Sequence, residues 1–441
     1  MKWKRYPSYK DSGVEWLGEV PKHWSLGRLK QTIDSIRNGV WGEEPEGNSD
    51  YWCVRVADFD RIGLSVSQEQ QTMRSAPEHQ LHSRLINPYD LLIEKSGGGN
   101  LQPVGTVVWF PFFARAACSN FIARIVIKSD FDPRFLVYCH HHLYNARVNT
   151  RSIKQTTGIQ NLDTESYFNE LATYPPKKEQ EEIASFLDHQ TSRIDTLIAT
   201  KQRQVELLEE KRNALITHAV TVGLDPHVKM KDSGVEWLGE VPEHWDLASV
   251  WILFSLGRGR VISALEISEN PGRYPVYSSQ TENEGIFGYL DTYDFEGDYL
   301  TWTTDGANAG TVFHRTGRFN CTNVCGTMKA KNIRVCYRYY FYILNIITKG
   351  YVRQDINPKL MNDVMASIKV PYMDPYEQQR IVNFLDRETS RIDSLKDKIQ
   401  QSIETLQEYR SALITAAVTG QIDVREEVYP CRDNTQRLRL R

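Results

Sequence analysis

The chain is written twice, and any fold proposed for it has to carry an internal twofold plan. Lys10–Trp24 reads KDSGVEWLGEVPKHW and Lys231–Trp245 reads KDSGVEWLGEVPEHW, with fourteen of fifteen positions identical. A longer pair aligns without a gap, Glu179–Asp225 against Glu377–Asp423, with 25 identities in 47 positions. The offset is 221 for the short pair and 198 for the long one, so the stretch between them is 23 residues shorter in the second half. The order is short repeat, variable segment, long repeat, and then all three again. A period this long means a duplicated unit, since solenoid repeats run to about 20–50 residues. Like frames around unlike inserts, roughly residues 25–174 and 246–370, predict one architecture presenting two different surfaces.

The long repeat has a helical pattern. No proline or glycine lies between Pro176 and Gly223, or between Pro375 and Gly420. In the second copy Ile381, Phe384 and Leu385 lead to Ile392, Leu395, Ile399, Leu406, Tyr409 and Leu413, an a/d stripe with Ser402 as its polar member. The first copy has Ile183, Phe186, Leu187, Ile194, Leu197, Val205, Leu208 and Leu215, interrupted by Lys201 and Gln204. A helix of about 36 residues is ~54 Å long. With one apolar seam it needs a partner, and the other copy supplies one; a pseudo-twofold axis makes the pair antiparallel. Packing of each helix along its own domain is the other arrangement the pattern permits. The remaining helix surface is charged (Glu179, Glu181, Glu182, Glu206, Glu209, Glu210, Lys211, Arg212), which suits solvent or a docking subunit. The short repeat, with Trp16, Trp24, Trp237, Trp245, Pro21 and Pro242, predicts an ordered segment docked on a core, without chemistry of its own.

The inserts read as α+β. Strand-like runs are Trp52–Val56, Gly105–Phe110 and Phe121–Lys128 in the first, Tyr299–Thr303 and Gly310–His314 in the second. Each has a late helical stretch, Arg134–Asn145 and Tyr337–Ile347. Net charge is −3, so bulk charge does not announce a nucleic-acid binder, but the distribution is uneven. Residues 95–162 hold eight Lys or Arg and two acids; residues 306–354 hold eight and no acid. Two basic stretches at corresponding places suit two phosphate-contacting faces, although a solvated surface has the same composition. The candidate DNA-binding residues are Lys95, Asn100, Arg115, Arg147, Arg151, Lys154 and Gln160 in the first insert. In the second they are Arg315, Arg318, Lys349, Arg353, Asn357 and Lys359. Lys and Arg suit phosphates and guanine, Asn and Gln suit adenine.

Several function classes find no support. No apolar run reaches ~18 residues, so no membrane helix is expected. Met1–Arg5 leads into polar sequence rather than a secretory h-region. Seven scattered cysteines make no disulfide framework and suit a reducing compartment, the cytoplasm. There is no GxxxxGK[ST] phosphate loop. Asn87-Pro88-Tyr89-Asp90 lacks the second proline of an adenine-methyltransferase motif, and Lys95–Asn100 (KSGGGN) reads as a hairpin or turn. Cys139-His140-His141-His142 would point in different directions along a helix, and Cys321 with Cys325 lacks the second pair that structural zinc wants, so no metal site is expected. No catalytic constellation stands out.

The block DSGVEWLGEVPxHW, followed by Pro175-Pro176-Lys177-Lys178-Glu179-Gln180, FLD, TSRID and ALIT-x-AVT, resembles the specificity subunit of type I restriction–modification systems. The resemblance covers residues 9–424 and includes the order of parts; the second copy departs with Pro371-Tyr372-Met373-Asp374-Pro375. It implies a target recognition domain at 1–174 (with the segment 10–24), a helical region at 175–225, a second recognition domain at 226–370 (with 231–245), a second helical region at 371–424 and a tail at 425–441. It implies an α+β chain in which the two long helices form an antiparallel coiled coil and set the spacing between the domains. It implies that each domain reads half of a bipartite, asymmetric double-stranded DNA target. The same resemblance implies that two methyltransferase subunits dock, that restriction subunits join, and that S-adenosylmethionine, ATP and magnesium belong to those partners, with no cofactor on this chain. A single-chain DNA methyltransferase or nuclease, or a protein-only scaffold, are the alternatives.

Overall fold

The computed structural model describes residues 3–427, apart from residues 15, 48, 49, 156, 157 and 355. The tail expected at 425–441 therefore lies mostly outside the described residues. The chain divides into two units, residues 1–200 with 402–441, and residues 201–401. Both divisions fall inside long helices, Lys177–Thr221 of 45 residues and Pro375–Val418 of 44. Each is about 66–68 Å long. They exceed the expected 36 residues because they begin directly after Pro176 and at Pro375 rather than at the first apolar position. Asp374 accepts a hydrogen bond from the Tyr376 backbone N–H at 2.8 Å, and Pro375 fills the first helical position.

Within each unit the same frame recurs. The short repeat folds as a hairpin, Tyr9–Asp11 against Glu19–Pro21 and Met230–Asp232 against Glu240–Pro242. The next strand pairs antiparallel with the strand that leads into a long helix: Ser25–Arg28 with Leu171–Tyr174, and Asp246–Ser249 with Lys369–Tyr372. Each insert thus leaves and rejoins its frame at one place. Trp24 and Trp245 are buried, and a buried indole N–H needs an acceptor. Trp24 Nε1 donates to Glu179 Oε1 at 2.9 Å and Trp245 Nε1 to Glu377 Oε1 at 3.0 Å. The second carboxylate oxygen meets His23 Nε2 at 2.8 Å in one unit and His244 Nε2 at 2.9 Å in the other. Gln180 and Gln378 accept from the backbone N–H of Asp132 and Cys336, tying down the starts of the helices Pro133–Asn145 and Tyr337–Tyr351. The repeated His-Trp and Glu-Gln pairs are therefore two halves of one lock, with the tryptophans buried and the histidines at its exposed edge.

Glycine closes each long helix where side chains must approach. Gly420 has φ +72°, and a Cβ there would lie 2.3 Å from Pro21 Cδ. Gly223 has φ +86° and faces Trp245 and Pro242. The core of the first unit gathers Phe135, Leu136, Tyr167, Ile183, Phe186 and Leu187 with Leu413, Ile414, Ala417 and Val418. The core of the second gathers Ile216, Ala219 and Val220 with Tyr339, Tyr340, Ile381, Val382 and Leu385.

The two long helices run antiparallel. In the second unit Glu209 pairs with Lys396, and Arg212 Nε lies 3.2 Å from Asp393 Oδ1, so numbers rise on one helix as they fall on the other. In the first unit Arg410 Nε bonds Asp195 Oδ1 at 2.9 Å. The seam differs from the simple a/d stripe. Leu395, Tyr409 and Leu197 are exposed, whereas Ile392, Ile403, Arg410 and Leu413 are buried. A straight α-helix drifts about 20° per heptad from a 3.5-residue repeat, which moves the stripe off its starting register.

The inserts are α+β, as expected. The first carries a six-stranded sheet ordered Ile33–Asn38, Ile122–Ile127, Leu91–Glu94, Val107–Trp109, Ser65–Val66, Phe59–Asp60. Beside it stands a three-stranded sheet of Ala116–Cys118, Asp50–Val54 and Met73–Ser75. The second insert carries two four-stranded sheets, one of Phe254–Arg258, Cys325–Ala330, Tyr299–Thr303 and Val312–Arg315, the other of Ile286–Leu290, Pro271–Tyr277, Arg318–Cys321 and Phe295–Glu296. No described helix is long and apolar enough to cross a membrane.

Candidate nucleic-acid interface

In the first unit one small sheet collects most of the predicted residues. Ser96–Gly97 pairs with Gln160–Leu162, which pairs with Ile153–Gln155. Lys95 enters this sheet: its carbonyl accepts from Leu162 N–H at 2.8 Å, and its Nζ donates to Asn38 Oδ1 at 2.6 Å. Partial burial lowers the Lys95 pKa from its ordinary value. Lys154 sits on the outer strand with its ammonium 2.7 Å from Asp163, a hydrogen bond that raises its pKa. Asn100 is exposed on the glycine-rich loop 98–104 that leaves the sheet, next to the exposed Leu101. Arg147, at φ +59°, reaches the Leu101 carbonyl at 3.5 Å. Arg151 is exposed in the turn just before the outer strand.

The second unit repeats the plan in reduced form. Asp305 bridges to Lys359, which bridges to Arg353. Leu360 N–H donates to the Thr304 carbonyl at 2.9 Å, as Leu162 does to Lys95. Lys359 Nζ lies 3.8 Å from Asp305. Arg353, Asn357 and Lys359 are exposed on this hairpin, and Lys349 is exposed on the last turn of the preceding helix. The loop between the two glycines differs: residues 98–104 in the first unit, only 307–309 in the second. Where the first unit fills this place with Tyr144, Arg147 and Asn149 bonding to residues 101–104, the second has a cavity of about 260 Å³ lined by Asn308, Thr311, Lys349, Val352 and Gln354 among others.

Four predicted residues stand apart from these sheets or are turned inward. Gln160 is buried at 6% exposure, and its Oε1 accepts from the Val104 backbone N–H at 3.3 Å, so it holds the glycine-rich loop instead of facing a base. Arg315 is 5% exposed, sandwiched over Tyr277 at 3.6 Å and Phe313 at 4.2 Å. Its NH2 donates to the Glu284 carbonyl at 2.7 Å, bracing a turn where Asn283 and Glu284 have positive φ. It is a structural cation rather than a phosphate contact. Arg318 pairs with Glu296 at 2.8 Å and lies over Tyr293, on a different sheet. Arg115 pairs with Glu78 at 2.5 Å, beside the three-stranded sheet. The sequence reading missed what unites the rest. Strand pairing joins Lys95 to residues near 160, and only the shared order of strand, hairpin and leucine could have signalled it.

The family model described as type I restriction modification DNA specificity domain matches residues 59–207 and 242–405. A Mycoplasma pneumoniae protein described as the N-terminus of a type I specificity subunit is 45% identical over 130 residues, 29% of this chain and 70% of the relative. The MjaX specificity subunit of Methanocaldococcus jannaschii is 22% identical over 433 residues, 93% of this chain and 96% of its own. A solved chain from work on complex assembly and conformational transition of the type I R-M system shares the fold, with TM-score 0.71 at 14% identity over 90% of this chain and 98% of that one. With most of both inserts and most of both long helices inside the matched ranges, the chain belongs to the type I restriction–modification DNA specificity family and is the DNA specificity subunit of such a system.

Proposed function

We propose that the two small sheets are the DNA-contacting faces of this subunit, each serving one half of a bipartite target in double-stranded DNA. The observation that carries this is their recurrence. Inserts of different sheet order both present a strand, a hairpin and exposed cations at the same place relative to the frame: Arg151 and Lys154 in one, Arg353 and Lys359 in the other. Cations held on a backbone scaffold fix register on phosphates, and neighbouring amides read base edges. Asn100 and Asn357 are the amides we assign to that task.

The chemistry in this reading lies on partners. Two methyltransferase subunits dock on the chain, restriction subunits join them, and adenine methylation uses S-adenosylmethionine held by the methyltransferase. ATP and magnesium serve the restriction subunits, all in the cytoplasm. The target adenine has to leave the base stack for methylation, so the recognition subunit supplies position and the partner supplies reaction.

The test is a single-molecule methylation map of the source genome with and without this gene. Loss of one adenine-methylated, two-part motif on deletion is the expected result. An unchanged map in a strain with an active partner methyltransferase contradicts the reading. Arg151→Ala and Arg353→Ala in the assembled complex should each lower affinity and flatten its salt dependence by roughly one phosphate contact.

A further inference from the structure

Each small sheet ends in a hairpin that carries one exposed isoleucine. In the first unit the tip between Gln155 and Gln160 carries Ile159, 55% exposed. In the second the tip between Arg353 and Lys359 carries Ile356, fully exposed. Single exposed apolar side chains are ordinary on protein surfaces. These two are set apart by place: both lie in the loop of the corresponding hairpin, Ile159 directly before the return strand and Ile356 three residues before it, on inserts that differ in sheet order. Both have exposed cations near them in sequence, Arg151 and Lys154 for one and Lys349, Arg353 and Lys359 for the other, with the acid Asp355 directly before Ile356. Cations and an exposed isoleucine on one hairpin fit a polyanion whose interior is apolar. Leu101 is also exposed on the first unit, but its loop is shortened to 307–309 in the second, so it is no part of the repeated device.

We infer that Ile159 and Ile356 are wedges, each inserting between two adjacent base pairs of its half-site. The inference rests on the DNA-contacting role given to these sheets and adds what they do to the duplex. Apolar wedges partly unstack a base step and bend the DNA, and the larger protein surface wrapped by the bent duplex offsets that deformation. Here the flanking cations hold the phosphates on either side of the opened step. Gln155 and Gln354, the residues that enter the two tips, stand beside it with amides able to meet a base edge. Pyrimidine–purine steps open most easily, so one such step is expected in each half-site, even where no base is read directly. Ile159 and Ile356 are positioning residues, since they touch neither the methyl donor nor the reacting nitrogen.

The experiment uses the full chain assembled with its methyltransferase subunits. Duplexes carrying the mapped target have 2-aminopurine placed at successive steps, leaving out the adenine that is methylated. The wild-type complex should raise fluorescence several-fold at one step in each half-site. Ile356→Ser should abolish the rise in one half-site only, Ile159→Ser in the other, and each should weaken DNA binding roughly tenfold, the scale of one spoiled base-pair contact. Ile356→Leu should keep the signal. Both isoleucines are exposed, so the serine variants should fold and assemble. A wild-type complex that binds the duplex without any rise overturns the wedge and leaves the DNA-contacting role intact. A rise unaffected by either serine variant also overturns it. A complex that fails to retain the duplex overturns both.

Discussion

A histidine held away from water is stable only as the neutral imidazole, and the first unit buries two, His140 and His142, on either side of the half-buried His141. His140 Nδ1 meets the Tyr167 hydroxyl at 2.8 Å, and His142 Nδ1 meets Thr415 Oγ1 at 3.1 Å. Burial pushes His140, His141 and His142 down to about 4, with Arg410 adding to the effect at His141. Their side chains diverge, and no group of three His, Cys, Asp or Glu among the described residues is placed to hold a metal ion. In the unfolded chain a histidine titrates near ~6.5, so below that pH the unfolded state binds protons that the folded state refuses. The first unit therefore keeps its full stability above about pH 6.5 and loses it progressively as pH falls towards about 4. His140 alone, 2% exposed, should account for about 3 kcal/mol of that loss. Hydrogen exchange along residues 133–145 at pH 7.5 and pH 5 measures it, with His140→Gln expected to reduce the acid sensitivity. Equal sensitivity in wild type and variant would count against this account. The repeated lock gives a second prediction at this scale. Glu179→Ala strands the buried Trp24 N–H and should cost roughly 1–3 kcal/mol, whereas Glu179→Gln keeps an acceptor and should cost less. Urea midpoints of the two variants in parallel decide it.

The two long helices meet through ion pairs that differ in burial although they occupy equivalent places in the repeat. The Arg410 side chain is 8% exposed and Asp195 29%; Arg212 is 29% exposed and Asp393 48%. Removing one partner of a buried pair leaves a charge without compensation, so Arg410→Ala should destabilise by roughly 3 kcal/mol. Arg212→Ala, in a more solvated pair, should cost less than about 1 kcal/mol. Equal losses in thermal or urea unfolding would show that burial does not separate the two. Hydrophobic spacing made most of this element legible. Ile183, Phe186, Leu187, Ile381 and Leu385 are all buried, and the absence of proline and glycine marked the helical interior. It misled at Leu395 and Tyr409, because spacing registers apolar character and is blind to an arginine buried by its aspartate. The interface was legible only as charge. A count of basic residues sees Arg315 and Arg353 alike. What separates them is the packing of Tyr277 and Phe313 around one and a hairpin's exposure of the other.

For the whole molecule the consequence of the duplicated plan is interchangeability of the inserts. Each insert enters and leaves through one antiparallel strand pair, Ser25–Arg28 with Leu171–Tyr174 or Asp246–Ser249 with Lys369–Tyr372. The parts that hold the frame, Trp24 with Glu179 and Trp245 with Glu377, lie outside those junctions. So do Asp195 and Arg410 of the long helices. The inserts also touch the frame, since Gln180 and Gln378 bind backbone N–H groups at Asp132 and Cys336, and His142 meets Thr415. A replacement insert must therefore bring its own helix in the same place, which other members of the family, built on the same plan, should do. Exchanging residues 29–170, or residues 250–368, for the matching segment of another family member should leave assembly with the methyltransferase intact. A methylation map of the exchanged strain should show one half of the motif replaced, with the other half and the spacer between them unchanged. A change in both halves would mean that each insert shapes the other's reading. A change in spacer length would mean that the inserts, and not the helices they hang from, set the distance between the two readings.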